Sequence, residues 1–236
     1  MIPLKNFLAA VFVIISSSLI AQNNVVKTSL SDALIGNFNL SYERAVSTNS
    51  SILIKAGYMD VVAGPLISEK TITPEAYTFD ESNGGISASV EYRIYTGNKK
   101  AVRGFYVAPY FRYLEQSPGF FDEIDSRLFS VATSLNTFGL GAQLGYQLII
   151  GNILTLDFYF FGAGVDWHTL NFKYELVQPE AGFDYGSIKD NINEVFRDIN
   201  YLEKRLEHTV YNDNLTSKLP FLFPGFRGGI SLGLAF

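Results

Sequence analysis

In FGLGAQLGYQL, residues 138–148, Phe138, Leu140, Ala142, Leu144, Tyr146 and Leu148 alternate with Gly139, Gly141, Gln143, Gly145 and Gln147. A period of two is the signature of a strand with one apolar and one polar face. The polar face is made of glycine and glutamine, so it looks into a cramped space. The same beat runs outward in both directions. Downstream, past the short join Gly151-Asn152, Leu154, Leu156, Phe158 and Phe160 alternate with Thr155, Asp157 and Tyr159. The chain ends with Phe226, Ile230, Leu232, Leu234 and Phe236 set against Arg227, Gly229, Ser231 and Gly233. Upstream, Phe105, Val107, Phe111 and Tyr113 oppose Tyr106, Ala108, Tyr110 and Arg112, and Ile86 to Ile94 oppose Ser87, Ser89, Glu91 and Arg93. Phe38, Leu40 and Tyr42 oppose Asn37 to Glu43. With Ser51 to Tyr58 this makes seven segments, and Val25 to Ser31 is a weaker eighth.

Composition agrees with an all-β chain. Of 236 residues, 47% are apolar and 15% aromatic, with 20 Gly against 8 Pro, the usage of many short strands rather than of a helical bundle. Cysteine is absent, which excludes disulfide frameworks and thiolate metal sites. A formal charge of -5 without long basic runs sets nucleic acid aside. Near the start, Lys5 and Asn6 precede an apolar run from Phe7 to Ile15 and then three serines. That is the pattern of a secretory signal peptide over residues 1–21, cleaved after Ala21. Its core is shorter than the roughly 20 residues of a membrane helix. A mature chain, residues 22–236, that enters a membrane must then do so as a closed β-barrel.

The connections support that topology. Val46 to Ser50, Gly97 to Arg103 and Gly151-Asn152 are short, whereas 61–83, 116–134 and 175–220 are long. Short turns on one rim and long loops on the other are the asymmetry of an outer-membrane barrel, with both chain ends periplasmic. The expected fold is an eight-stranded antiparallel up-and-down transmembrane β-barrel, one domain, with a helix in its last extracellular loop. A secreted calyx would have the same strand count with its apolar face inward. The Phe-, Leu- and Tyr-rich apolar face and the terminal Phe236, which resembles an assembly signal for the barrel assembly machinery, favour the membrane form. Pro109 interrupts an otherwise regular strand, because it removes a ladder donor.

The segments LIGNFNLSYERAV, RGFYVAPYFRY and GLGAQLGYQLIIGN, with the closing GFRGGISLGLAF, resemble the small eight-stranded outer-membrane barrels of Bacteroidota, similar in fold to OmpX and the OmpA membrane domain. The resemblance implies a porin-like fold and a cell outer membrane location. It transfers no activity, since most members have none assigned.

An eight-stranded barrel has an interior that side chains fill, so an open pore is not expected. Glu43, Glu91 and Asp157 face Lys55, Arg93, Arg112 and Arg227 on the polar parity. Glu43, Lys55, Arg93, Gln147 and Asp157 lie about four residues from a periplasmic turn, roughly 10 Å up the axis, and are expected to form one hydrogen-bonded structural layer. Charges removed from water persist only when paired. His168 has no Ser at the His-x-Ser spacing of outer-membrane deacylases and is read with Trp167 and Tyr174 as part of the interfacial girdle. His208 falls in a loop. No catalytic residue, cofactor or metal site is expected, and the chain is read as non-enzymatic and monomeric.

From Ser187 to Glu207, Ile188, Ile192, Val195, Ile199, Leu202 and Leu206 recur at steps of four and three, which predicts an amphipathic helix over 187–207 with Ser187 and Asp190 capping its start. Its stripe either packs on the barrel mouth or binds a protein partner. The expected function is a structural or protein-interaction module in outer-membrane lipid. The alternative is an OmpW-like passage that binds or conducts small hydrophobic molecules through a lateral opening.

Overall fold

The computed structural model describes residues 23–60, 84–96, 102–180, 182–197 and 199–236. The expected signal peptide and the long connection 61–83 lie outside the described residues. One antiparallel sheet holds ten strands: β1 (Asn24–Ser29), β2 (Asn37–Ala45), β3 (Ser50–Asp60), β4 (Gly84–Tyr95), β5 (Gly104–Gln116), β6 (Gly119–Ile124), β7 (Arg127–Ile150), β8 (Leu154–Leu176), β9 (Glu207–Val210) and β10 (Asn214–Ala235). Eight of them close into an up-and-down ring, β1-β2-β3-β4-β5-β7-β8-β10, which β1 completes by pairing with β10. All eight expected segments are in it. The weak first one stops at Ser29, whose hydroxyl accepts from the Asp32 amide and opens the one-turn helix α1 (Leu30–Ala33).

Sidedness follows the alternation. Phe38, Leu40, Ile54, Val90, Phe111, Leu140 and Ile230 are exposed on the outside, and Lys27, Glu43, Glu91, Arg93, Gln147 and Asp157 are buried inside. A calyx with an apolar interior is thereby excluded. Glycines make room for the filling: a Cβ on Gly145 would run into the Tyr106 ring, and one on Gly141 would come within 2.6 Å of the Tyr110 hydroxyl. At Pro109 the β4–β5 ladder lapses, pairing Glu91 with Tyr110 and resuming only at Ile94 with Val107.

Two features change the expected picture. First, β8 carries one extra residue against both neighbours, since Leu144 pairs Phe161 while Gly145 pairs Tyr159. This bulge turns both Phe160 and Phe161 outward and inverts the parity above it. Trp167 therefore faces out as expected of a girdle, whereas His168 faces in, where its Nδ1 meets the Thr137 hydroxyl at 2.8 Å and its ring stacks on Phe221. Second, 116–134 and 175–220 are only partly loops. β7, β8 and β10 run on to 24, 23 and 22 residues, and β6 and β9 widen their outer end.

Along those extensions the sense of the alternation reverses. On β7 the outward set changes from Leu140 and Phe138 to Asn136 and Ser134. On β8 it changes from Val165 and Trp167 to Thr169 and Asn171, and on β10 from Leu222 to Lys218 and Thr216. The inward set changes the opposite way, from glycine and charge to Phe129, Val131, Leu176, Leu215 and Leu219. The switch follows one register line, on which Tyr113, Phe138, Trp167 and Leu222 are paired across four strands.

The expected single helix over 187–207 is broken. α2 spans Gly186–Phe196 and the one-turn α3 spans Asn200–Glu203. Between them the Arg197 and Ile199 amides donate to the carbonyls of Glu194 and Phe196, a tightened three-residue closure that ends the α-helical ladder. The start also differs: the Asp184 carboxylate accepts from the Gly186 amide at 2.9 Å, and Ser187 caps nothing. The end of the expected helix, with His208, is strand β9.

Candidate functional site

The lower interior is a charge knot whose six charged groups stand on five strands. Lys27 of β1 donates to Glu43, Gln147 and Asp157 at 2.7, 2.6 and 2.7 Å. Arg93 of β4 reaches Asp157 at 2.7 Å and Glu91 at 2.7 Å through separate nitrogens, and its flat face lies 4.3 Å over the Tyr106 ring. Hydroxyls complete the carboxylates: Tyr95 and Ser51 donate to Glu43, and Tyr106 donates to Asp157 at 2.8 Å. Arg227 approaches Glu91 at 3.3 Å from β10, and Gln143 donates to it at 2.9 Å. Lys27, Arg93 and Arg227 thus balance Glu43, Glu91 and Asp157 charge for charge. Beneath the knot Tyr95 and Tyr106 pack together, and Val25, Val102 and Ala235 seal the turn end.

Of the expected layer, Glu43, Arg93, Gln147 and Asp157 do meet, and Glu91 and Arg227 join them. Lys55 does not. It sits one tier higher and pairs at 3.3 Å with Asp32, which also accepts from Asn39 and Tyr159. Its place in the layer is taken by Lys27, which the weak alternation of VVKTS conceals. Arg112 forms a third tier with Asp166, a residue that strict alternation puts outside and the β8 bulge brings in. The carboxylates are each paired with a cation, as buried charges require, while Gln143 Oε1 and Arg227 Nη1 are buried without a hydrogen-bond partner; the layer blocks the axis.

The outer end has its own core. Ile188 and Ile192 of α2 are buried with Phe129, Val131, Leu176, Tyr185 and Leu215 against the inner face of the long strands. Tyr185 donates to the Asp213 carbonyl at 2.6 Å, and burial pushes its phenol pKa up. Of the rest of the stripe, half-buried Leu206 packs against this same core and Leu202 is half-buried, while Val195 is 73% exposed and Ile199 is also exposed. His208 of β9 bridges Ser217 of β10, at 2.8 Å from Nδ1, and Asn193 of α2, at 3.0 Å from Nε2. Hydroxyl, imidazole and amide stand in the order of a nucleophile, its base and an orienting group. Ser217, however, is fully buried, so the trio clips α2 to the sheet. Burial, and then the nearby Lys189 ammonium, hold the His208 pKa below its ordinary value.

Among the described residues no group of three or more His, Asp or Glu is placed to hold a metal ion. Phe236 closes the ring with its backbone, exchanging hydrogen bonds of 3.1 and 2.9 Å with Asn24. The class these features define is an all-β, up-and-down ring of eight strands with a polar interior. No family model, curated protein or solved structure matches this chain.

Proposed function

We propose that this protein is an integral outer-membrane β-barrel, exported by a cleaved signal peptide, that works without catalysis as a structural or protein-interaction module. The observation that carries this reading is the single register line along which outside and inside exchange character. Below Tyr113, Phe138, Trp167 and Leu222 the wall is apolar outward for about 12 residues of strand, which at ~3.3 Å per residue and a tilt near 40° makes a band of roughly 30 Å. Above them it is Asn, Ser, Thr and Lys outward and apolar inward. That is a sheet passing from hydrocarbon into water, with aromatics at the boundary. Interaction falls to the water-side sheet and helices, where Val195, Ile199, Val210 and Tyr211 are exposed and the core uses Ile188, Ile192 and Leu206 of the stripe. An axial passage for small molecules is opposed by the charge knot. Fractionation tests the reading: the protein should be in the outer membrane and migrate as a heat-modifiable band. A soluble periplasmic protein refutes it.

A further inference from the structure

β10 is paired with β8 along nearly its whole length, but its other edge is only partly paired among the described residues. It meets β1 only from Ser231 to Ala235 and β9 only from Leu215 to Lys218. Residues 219–230 have no strand beside them among the described residues. On a strand, alternate N–H groups point to the same edge. The Ile230 amide donates to the Ser31 hydroxyl at 3.1 Å and the Leu222 amide to the Tyr201 hydroxyl at 3.2 Å, so the even-numbered positions face the gap. Two of the others are Pro220 and Pro224, which have no N–H to satisfy. Of the six even-numbered positions from 220 to 230, two thus have no donor and two are capped by side chains, which leaves the Phe226 and Gly228 amides as the donors of this edge.

The uncovered stretch runs from Ser31 of α1 at its foot to Tyr201 of α3 at its head, eight residues or about 26 Å along the strand, all of it at or below the Leu222 level. Phe223 has inward parity, between Phe221 on His168 and Gly225 against Asp166. It is nonetheless 61% exposed, and outward Phe226 is 71% exposed. A side chain that faces the interior yet lies open can only be open sideways or upward.

We propose that this edge is a lateral aperture in the wall, admitting the acyl chain of a bilayer lipid against Phe223. The proposal rests on the membrane reading above, and it names hydrocarbon because the opening is continuous with the apolar band and Pro220 and Pro224 stand where two donors would be. Further in, Arg227 and Glu91 fill the interior and set the depth of entry.

The test uses fluorescence in vesicles of phosphatidylcholine with brominated acyl chains. Trp167 is the only tryptophan; it faces outward and pairs with Leu222. Its emission should be strongly quenched. In the doubly substituted protein Trp167→Phe, Phe223→Trp, the indole at position 223 should be quenched to within about twofold of that value, and aqueous acrylamide should add little. Quenching at 223 less than one-fifth of that at Trp167, or quenching there by acrylamide alone, overturns the aperture and leaves the membrane reading intact. Absence of quenching at Trp167 itself overturns both. Should the double variant lack the heat-modifiable band, Phe223→Cys labelled with a bimane in this cysteine-free chain supplies the same comparison.

Discussion

Replacing Lys27 by Met is the sharpest test of the charge knot. The ammonium is 1% exposed and holds two carboxylates and one amide at 2.6–2.7 Å. Lys27→Met keeps most of the side-chain length but leaves three buried carboxylates facing Arg93 and Arg227 alone. Removing one partner of a buried ion pair typically costs about 3–5 kcal/mol, which is between two and four powers of ten in the unfolding constant at about 1.4 kcal/mol per tenfold. Adding Asp157→Asn restores the balance at two against two and leaves an amide that Arg93 and Tyr106 can still engage. The double variant should therefore be more stable than Lys27→Met by about 1–3 kcal/mol, a large coupling for residues in contact. Urea unfolding in vesicles, followed through Trp167 emission and band mobility, measures all four corners of this cycle. A Lys27→Met protein within about 1 kcal/mol of the parent, or losses that simply add, would refute the claim that the knot is a balanced buried network.

Gly145→Ala drives a methyl into the Tyr106 ring that supports Asp157, and overpacking of this kind should lower stability by about 1–3 kcal/mol, read as a lower urea midpoint. Ile192→Asp should release α2 and expose 175–213 to protease, because a carboxylate would replace a buried core contact. Val195→Asp, on the exposed side, should leave the cleavage pattern unchanged and lower the yield of any partner in pull-downs. For the His208 clip the sign follows from a folded pKa below 6.5: the neutral ring is favoured, so the clip is at full strength above about pH 6.5 and weakens as pH falls through the lower folded value. Hydrogen exchange of α2 should then accelerate at pH 5 relative to pH 8 after correction for intrinsic rates, and His208→Gln should abolish the difference.

The ring was legible because its strands repeat one polarity with almost no exceptions, as in 138–148. The extensions were not, since from Arg127 to Thr137 and from His168 to Leu176 the polarity is inverted, and a reader looking for apolar residues outward sees a loop. One extra residue at Phe160-Phe161 hid Asp166 and His168, because two adjacent aromatics do not disclose which one breaks the period. Lys27 was missed for a different reason: VVKTS is too short to show a face, and only pairing with Glu43 and Leu234 assigns one. The helix periodicity was real for Ile188 and Ile192, but it counted residues past Phe196 that tertiary packing sends elsewhere.

Closure of the ring has a consequence for how the protein assembles. Five of the eight joints link strands consecutive in the chain, and two more, β5 with β7 and β8 with β10, skip a single strand. The eighth joins Asn24 to Phe236, 212 positions apart. From a flexible chain that joint would carry about 3 kcal/mol more closure entropy than a ten-residue hairpin, so it forms last, after curvature has brought the ends together. Until then the sheet is an open ribbon with β1 and β10 as raw edges. Closure of the ring is therefore the last step, with the short β1 as the final tooth.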